Sequence, residues 1–334
     1  MRDSLLELLR CPRCRAPVEP AGDGGNGSVA ELACTGCALR YPVEDDIPRL
    51  LDDAVPGSAA KRRELAGWVE LAKRQGWYEP DDDVDLALPF LCRDLGWDDA
   101  AWRANEHSFS LLLERFVRPG MRVLEVGAGK CWGAQHLVPG GCEYVGTDIL
   151  ADRNIGLGRG RLYERRIGPF ERVQADGERL PFVDGAFDLT YAVATLHHAV
   201  DLRGMVREMA RVTRRGGVVA ALNEGTRSLR ESPRNPNQEV ERELGINEHV
   251  HTLPAYLVAF VAARLLPVRI ERADGYGMFA GRTKIERLLR FPAGRTALAV
   301  GFNVLAGYSG ISLYARRVGG HSRPPRTSPR DARP

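Results

Sequence analysis

Two Cys-x-x-Cys turns near the N-terminus, Cys11-Pro-Arg-Cys14 and Cys34-Thr-Gly-Cys37, separated by 19 residues, constrain this chain more tightly than any other feature. Each turn aims two thiolates at one point, and a hairpin that brings the turns together completes a tetrahedral four-sulfur cage. Such a cage has no open position, so a zinc ion held there stabilises the fold and does not activate water. The glycine-rich stretch Gly22 to Gly27 is expected at the hairpin tip. A redox pair is disfavoured, because neither turn opens a helix after a strand. The remaining three of the seven cysteines are scattered, which suits a reducing compartment better than a disulfide framework, and a cytoplasmic location is expected.

A chain of 334 residues has room for one full α/β core, a small appended module and connecting helices. Its charge is unevenly spread. Residues 1 to 50 carry 6 basic and 8 acidic side chains, whereas the stretch Arg316 to Pro334 carries 6 arginines and 1 aspartate. The net charge of +3 is therefore largely a Pro-rich and Ser-rich tail, residues 319–334, expected to be disordered. Nucleic-acid binders usually show a basic face on the folded module, and none is evident here. Met1 to Arg10 lacks the apolar run of a secretion signal, and Ala297 to Ala315 is broken by Asn303, Ser309 and Ser312. That stretch reads as a core helix followed by a strand, and no membrane span is expected.

From Arg122 the pattern becomes strand, glycine turn, helix: Val123-Leu124-Glu125-Val126 runs into Gly127-Ala128-Gly129. Glycines let backbone turn sharply and approach a ligand at the carboxyl end of a first strand. A nicotinamide fingerprint needs a third glycine at 132, where this chain has Trp132. A second strand, Tyr144-Val-Gly-Thr-Asp148, ends in an acid able to accept from ribose hydroxyls.

Further on, Phe170-Glu-Arg-Val-Gln-Ala-Asp176-Gly-Glu-Arg-Leu-Pro-Phe182 precedes Ala186-Phe-Asp188-Leu-Thr-Tyr-Ala-Val193 and Leu196-His-His-Ala-Val-Asp201. A helix over Arg207 to Arg215 and a fifth strand over Val218 to Leu222 follow. The ordered series resembles the class I S-adenosylmethionine-dependent methyltransferases of the type 11 kind, over roughly residues 108 to 317. The resemblance implies an α/β fold, a doubly wound, Rossmann-like seven-stranded sheet whose last strand, Ile311 to Arg316, inserts antiparallel. It implies S-adenosylmethionine as cofactor, with Glu125, Gly127 and Gly129 around the methionine part, Asp148 on the ribose and Asp176 facing the adenine. The adjoining Ala128, Ile149 and Gly177 complete the expected cofactor set. Cys131 departs from the pattern, since many relatives have a glycine there.

The flanks of the cysteine turns, Leu5-Leu-Glu-Leu-Leu9 and Tyr41-Pro-Val-Glu-Asp-Asp-Ile-Pro-Arg-Leu-Leu51, resemble the small zinc-ribbon partner subunits of tRNA, ribosomal RNA and release-factor methyltransferases. That resemblance implies an accessory module fused to its enzyme, with Cys11, Cys14, Cys34 and Cys37 on the zinc. The expected organisation is a zinc ribbon (1–55), a helical linker or lid (59–116), the methyltransferase core (117–318) and the tail.

Residues 59 to 116 hold Trp68, Trp77, Tyr78, Phe90, Trp97, Trp102 and Phe109. They read equally well as a lid over the cofactor site and as a connector packing on the core. The acid run Asp81 to Asp85 reads as a solvated loop. Methyl transfer relies mostly on positioning the acceptor in line with the sulfonium. His197, His198, Glu224, His249 and His251 are candidate catalytic residues, needed where the acceptor must lose a proton. The leading expectation is a small-molecule acceptor, a sugar or natural-product intermediate. An RNA acceptor and a non-catalytic adenosyl-binding scaffold are the alternatives.

Overall fold

The computed structural model describes residues 2–23, 29–52, 57–305 and 308–319. The expected hairpin tip beyond Asp23 and the tail from residue 320 lie outside the described residues. The strands are β1 (Val18–Asp23), β2 (Val29–Cys34), β3 (Arg40–Glu44), β4 (Ile47–Leu50), β5 (Arg122–Val126), β6 (Glu143–Asp148) and β7 (Glu171–Ala175). They continue with β8 (Phe187–Val193), β9 (Thr213–Arg227), β10 (His251–Thr252), β11 (Leu265–Arg272) and β12 (Ser309–Arg317).

The centre of the sheet is β7-β6-β5-β8-β9-β12-β11. The first five of these run parallel, and β12 lies antiparallel between β9 and β11. The expected seven-stranded doubly wound sheet is thus the fold. Its inner strands are apolar on both faces because helices cover both. Residues 123–126 of β5 are all buried. On one side the helix Leu202–Val212 presents Leu202, Met205, Val206, Met209 and Ala210 at helical spacing, all buried. On the other lies the helix Ala100–Phe116, started by Asp99, whose carboxylate accepts from Trp102 N at 2.9 Å, and anchored by the fully buried Phe109 and Leu112. The helix expected over Arg207 to Arg215 begins earlier and ends at Val212, where β9 takes over. Among the described residues no helix is long and apolar enough to cross a membrane.

The ribbon extends this sheet. Strand β4 pairs parallel with β7, setting Arg49 opposite Gln174 and Leu50 opposite Ala175, while β1, β2 and β3 continue outward as an antiparallel meander. Arg10 N donates to the Pro181 carbonyl at 2.8 Å and Val183 N to the Leu8 carbonyl at 2.9 Å. Leu5, Leu9, Leu32 and Tyr41 share one apolar cluster with Phe182, Phe187 and Met209. An edge strand such as β7 would otherwise expose unpaired backbone groups, and β4 covers part of it. The boundary drawn between ribbon and core on sequence is not a boundary in packing.

Candidate active site

Three strand ends build one cavity. β5 runs into Gly127, whose φ is +72°, and whose N donates to the Thr147 carbonyl at 2.8 Å. A Cβ on Gly127 would lie 2.3 Å from the Thr195 side chain, so only glycine fits that turn. Cys131, the departure noted on sequence, adopts φ +62°, the left-handed region that glycine favours, and is fully buried. It is accommodated by Gly146 on β6, where a Cβ would come within 3.1 Å of its sulfur.

At the end of β6, Asp148 accepts from Gly129 N and from Leu150 N, each at 2.8 Å. Burial raises its pKa, while these backbone donors favour the carboxylate. Beyond β7, Asp176 accepts from Glu178 N at 2.9 Å and from Lys61 Nζ at 2.6 Å. Lys61 also donates to Glu178 at 2.9 Å. The cavity encloses about 290 Å³ and is lined by Gly127, Gly129, Asp148, Ile149, Asp176 and Gly177 on the sheet side. The helix Ser58–Gln75 and the residues just after it close it from above with Lys61, Glu64, Trp68 and Trp77. Six of the eight residues expected around the cofactor therefore line one pocket.

The other two stand behind it. Ala128 is buried, its N bonded to the Thr147 carbonyl at 2.9 Å. Glu125 is also fully buried and accepts from the Tyr144 hydroxyl. Burial pushes the Glu125 pKa up to about 8 against that hydrogen bond, so its carboxyl is protonated at neutral pH. It sits beneath the glycine turn, where Gly133 leaves room for the carboxyl to point inward.

The linker resolves into both of its readings. Its first helix covers the cavity; its later part packs on the core, where Phe90 and Phe109 meet the His136 ring edge-on at 5.2 and 5.6 Å. The acid run is not a solvated loop. Asp81 caps a short helix, Asp82–Ala87, and Asp85 is buried between Lys130 and Arg159, at 2.7 Å from each. Asp85 thereby ties the linker to the glycine turn.

Of the candidate catalytic groups, His198 reaches the cavity and sits edge-on to Trp68 at 5.5 Å. Its Nδ1 is 2.7 Å from the Asn247 carbonyl and 3.5 Å from Glu64. Burial holds its pKa well below that of an ordinary histidine, with His197 adding to the effect. His197 lies behind it, with its side chain 12% exposed. Burial opposes its charged form, but Glu224, whose Oε2 is 3.0 Å from Nδ1, and Glu248, 3.6 Å from Nε2, raise its pKa overall. Glu224 accepts backbone N–H bonds from Thr195 at 2.9 Å and Leu196 at 3.0 Å, fixing the turn after β8. It acts on His197 and the loop and does not line the cavity.

The His249 and His251 rings meet at a tilt of 50° with centroids 4.5 Å apart, and neither lines the cavity. Burial lowers the pKa of both, to about 4 for His251. Their spacing along an irregular stretch pointed to the pocket, but the pairing of His251 with Thr226 turns it onto the sheet beside β9. Glu64, Lys61 and Glu248 were missed on sequence. For the first two the signal is that Lys61, Glu64 and Trp68 share one helical face with the buried Leu71.

In the ribbon, Cys11 Sγ is 3.6 Å from Cys37 Sγ and Cys14 Sγ is 3.3 Å from Cys34 Sγ, and all four cluster. Sulfurs around a tetrahedral zinc lie about 3.8 Å apart, so the set fits a structural zinc. Gly36 is required there, since a Cβ would come 2.7 Å from Ala16.

Residues 124–221 match the family model described as a methyltransferase domain, and residues 2–46 match that of the Trm112p-like proteins. On separate stretches the chain is thus similar to a methyltransferase domain and to a Trm112p-like ribbon, the latter over the four-cysteine cluster. The domain is 34% identical over 106 residues to a sterol 24-C-methyltransferase of Gibberella zeae, covering 30% of this chain and 27% of that protein. It is 37% identical over 104 residues to the demethylmenaquinone methyltransferase of Corynebacterium urealyticum, covering 31% and 42%. The chain thus spans less than half the length of either relative. A geranyl diphosphate C-methyltransferase of Streptomyces coelicolor shares the fold, with a TM-score of 0.53 and 17% identity over 80% of this chain and all of that one.

Proposed function

We propose that this protein transfers a methyl group from S-adenosylmethionine to a small-molecule acceptor, a sugar or natural-product intermediate. The reading rests on one observation: the glycine turn, Asp148 and Asp176 line a single cavity at the carboxyl ends of neighbouring strands, where α/β sheets bind their ligands. In this reading Asp148 accepts from the ribose hydroxyls, Asp176 faces the adenine, and Ile149 and Met205 wall the rings. The bound donor supplies an electrophilic methyl group on sulfur. Trp68 and Trp77 exclude water above it, and Glu64 and His198 face the acceptor.

The named relatives are a sterol 24-C-methyltransferase and a demethylmenaquinone methyltransferase, which supports a small acceptor. The roofed cavity also favours one over an RNA strand. Calorimetric titration with S-adenosylhomocysteine tests the reading. Wild-type protein binds one equivalent, and Asp148→Ala binds at least tenfold more weakly. Absence of any binding to wild type overturns the proposal, and salt-sensitive methylation of RNA moves the acceptor to the RNA alternative.

A further inference from the structure

The acceptor end of the cavity holds an unusual concentration of buried ionisable groups. One ligand atom from each of His197, His198 and Glu248 lies within 4.8 Å of the other two. Glu64 adjoins from the cavity side, 3.5 Å from His198 Nδ1. Glu64, Glu224 and Glu248 are only 5%, 1% and 7% exposed. Three acids brought out of water around two imidazoles carry a large desolvation cost unless they hold protons or positive charge balances them. Lys61, the cation on the same helix face, is committed to Asp176 and Glu178.

The second observation is the partner of His197. Its Nδ1 is held at 3.0 Å by Glu224, which turns Nε2 toward Glu248. A carboxylate bonded to one imidazole nitrogen, with the other nitrogen aimed at further donors, is how proteins orient metal-binding histidines. Glu224 is itself fixed by the Thr195 and Leu196 amides, and Gln238 Nε2 donates to Glu248. Two of the three donors, His197 and Glu248, are thus held from behind; His198 Nδ1, 3.9 Å from Glu248, exchanges its hydrogen bond to the Asn247 carbonyl for the ion.

We infer that His197, His198 and Glu248 form a second metal site, distinct from the ribbon, which takes a divalent transition ion such as zinc, iron or manganese. Two imidazoles and one carboxylate suit these ions better than calcium or magnesium, and three protein ligands leave positions open. Of the three ligands, His198 lines the cavity beside Glu64. The consequence for chemistry rests on the methyl-transfer reading; the site itself does not. It selects an acceptor with an oxygen donor, a hydroxyl or enol, made more acidic by the ion. The oxygen's proton passes to the Glu64 carboxylate. Its freed electron pair forms the new bond to the methyl carbon as the carbon–sulfur bond breaks and that pair returns to sulfur.

The test is a metal count on the full chain, with its ribbon zinc in place, after dialysis against a weak chelator and titration with Co²⁺. Wild type takes up one equivalent beyond the thiolate-bound metal, with weak visible bands and no thiolate charge-transfer band. Glu248→Gln and His197→Ala each lose that equivalent and keep the ribbon metal, and Glu224→Gln weakens it roughly ten- to hundredfold. Two results overturn the inference: wild type binding metal only through thiolates, or the second equivalent surviving in both Glu248→Gln and His197→Ala. Because wild type alone decides the first, a variant that fails to fold does not shelter the proposal. S-adenosylhomocysteine titration on the same samples separates the two readings, since the metal count and donor binding fail independently.

Discussion

The ammonium group of Lys61 lies 2.6 Å from the Asp176 carboxylate, and both side chains are less than one-fifth exposed. This contact ties the helix over the cavity to the end of β7. Lys61→Met leaves Asp176 and Glu178 facing each other without their cation. The expected result is a loss of about 1 to 3 kcal/mol in unfolding free energy and several-fold weaker S-adenosylhomocysteine binding, read by denaturant titration and calorimetry. Unchanged values in both measurements show that the helix is held by its apolar face alone.

The ribbon and the sheet share strand pairing and one apolar cluster, so they are expected to unfold together. Cys34→Ser, which breaks the four-sulfur set, is expected to release zinc and lower the midpoint of a single calorimetric transition. Leu9→Ala, fully buried between the two parts, is expected to cost about 2 to 5 kcal/mol in that same transition. Two separate transitions in the wild-type scan contradict this coupling.

Much of this architecture was legible along the chain because the signals are local. The β5 run into Gly127 and Gly129, the acid closing β6 and the two cysteine turns each announce themselves within a few residues. What was not legible depends on partners distant in sequence. Nothing near Ile47–Leu50 says that it pairs with β7, since parallel registry leaves no turn to read. Lys61 and Glu64 sit in a charged helix that resembles a solvated face until the sheet is placed beneath it. Asp85 looked solvated because its neighbours Asp82 and Asp83 are exposed, and only Lys130 and Arg159 reveal its burial. His249 and His251 fall outside the cavity lining for the same reason: the two-residue pairing of His251–Thr252 with β9 carries that stretch onto the sheet.

Glu125 makes stability depend on pH in a defined direction. Its carboxyl pKa is raised from 4.5 to about 8 by burial, so the folded state binds this proton more tightly than the unfolded chain does. The resulting contribution is fully present below about pH 4.5 and is lost as pH rises through 8, amounting to no more than about 5 kcal/mol. Glu125→Gln, which keeps the shape and the neutral state, is expected to flatten the stability profile between pH 5 and about 8. Parallel profiles for the two proteins place the titration elsewhere.

Gly127 and Gly129 both have positive φ, at +72° and +48°, yet they are expected to respond differently to the same change. A Cβ at 129 meets nothing within 4 Å, so Gly129→Ala carries only the left-handed backbone cost of about 1 to 2 kcal/mol. A Cβ at 127 collides with Thr195, and Thr195 has little freedom to move: its hydroxyl donates to the Val193 carbonyl at 2.8 Å and its N to Glu224 at 2.9 Å. Gly127→Ala must therefore distort either the glycine turn or the turn that carries His197 and His198. The expected outcome is a much larger drop in thermal midpoint than for Gly129→Ala, with S-adenosylhomocysteine affinity reduced at least tenfold. Equal effects at the two positions refute the close approach of the β5 and β8 turns as the contact that shapes this cavity.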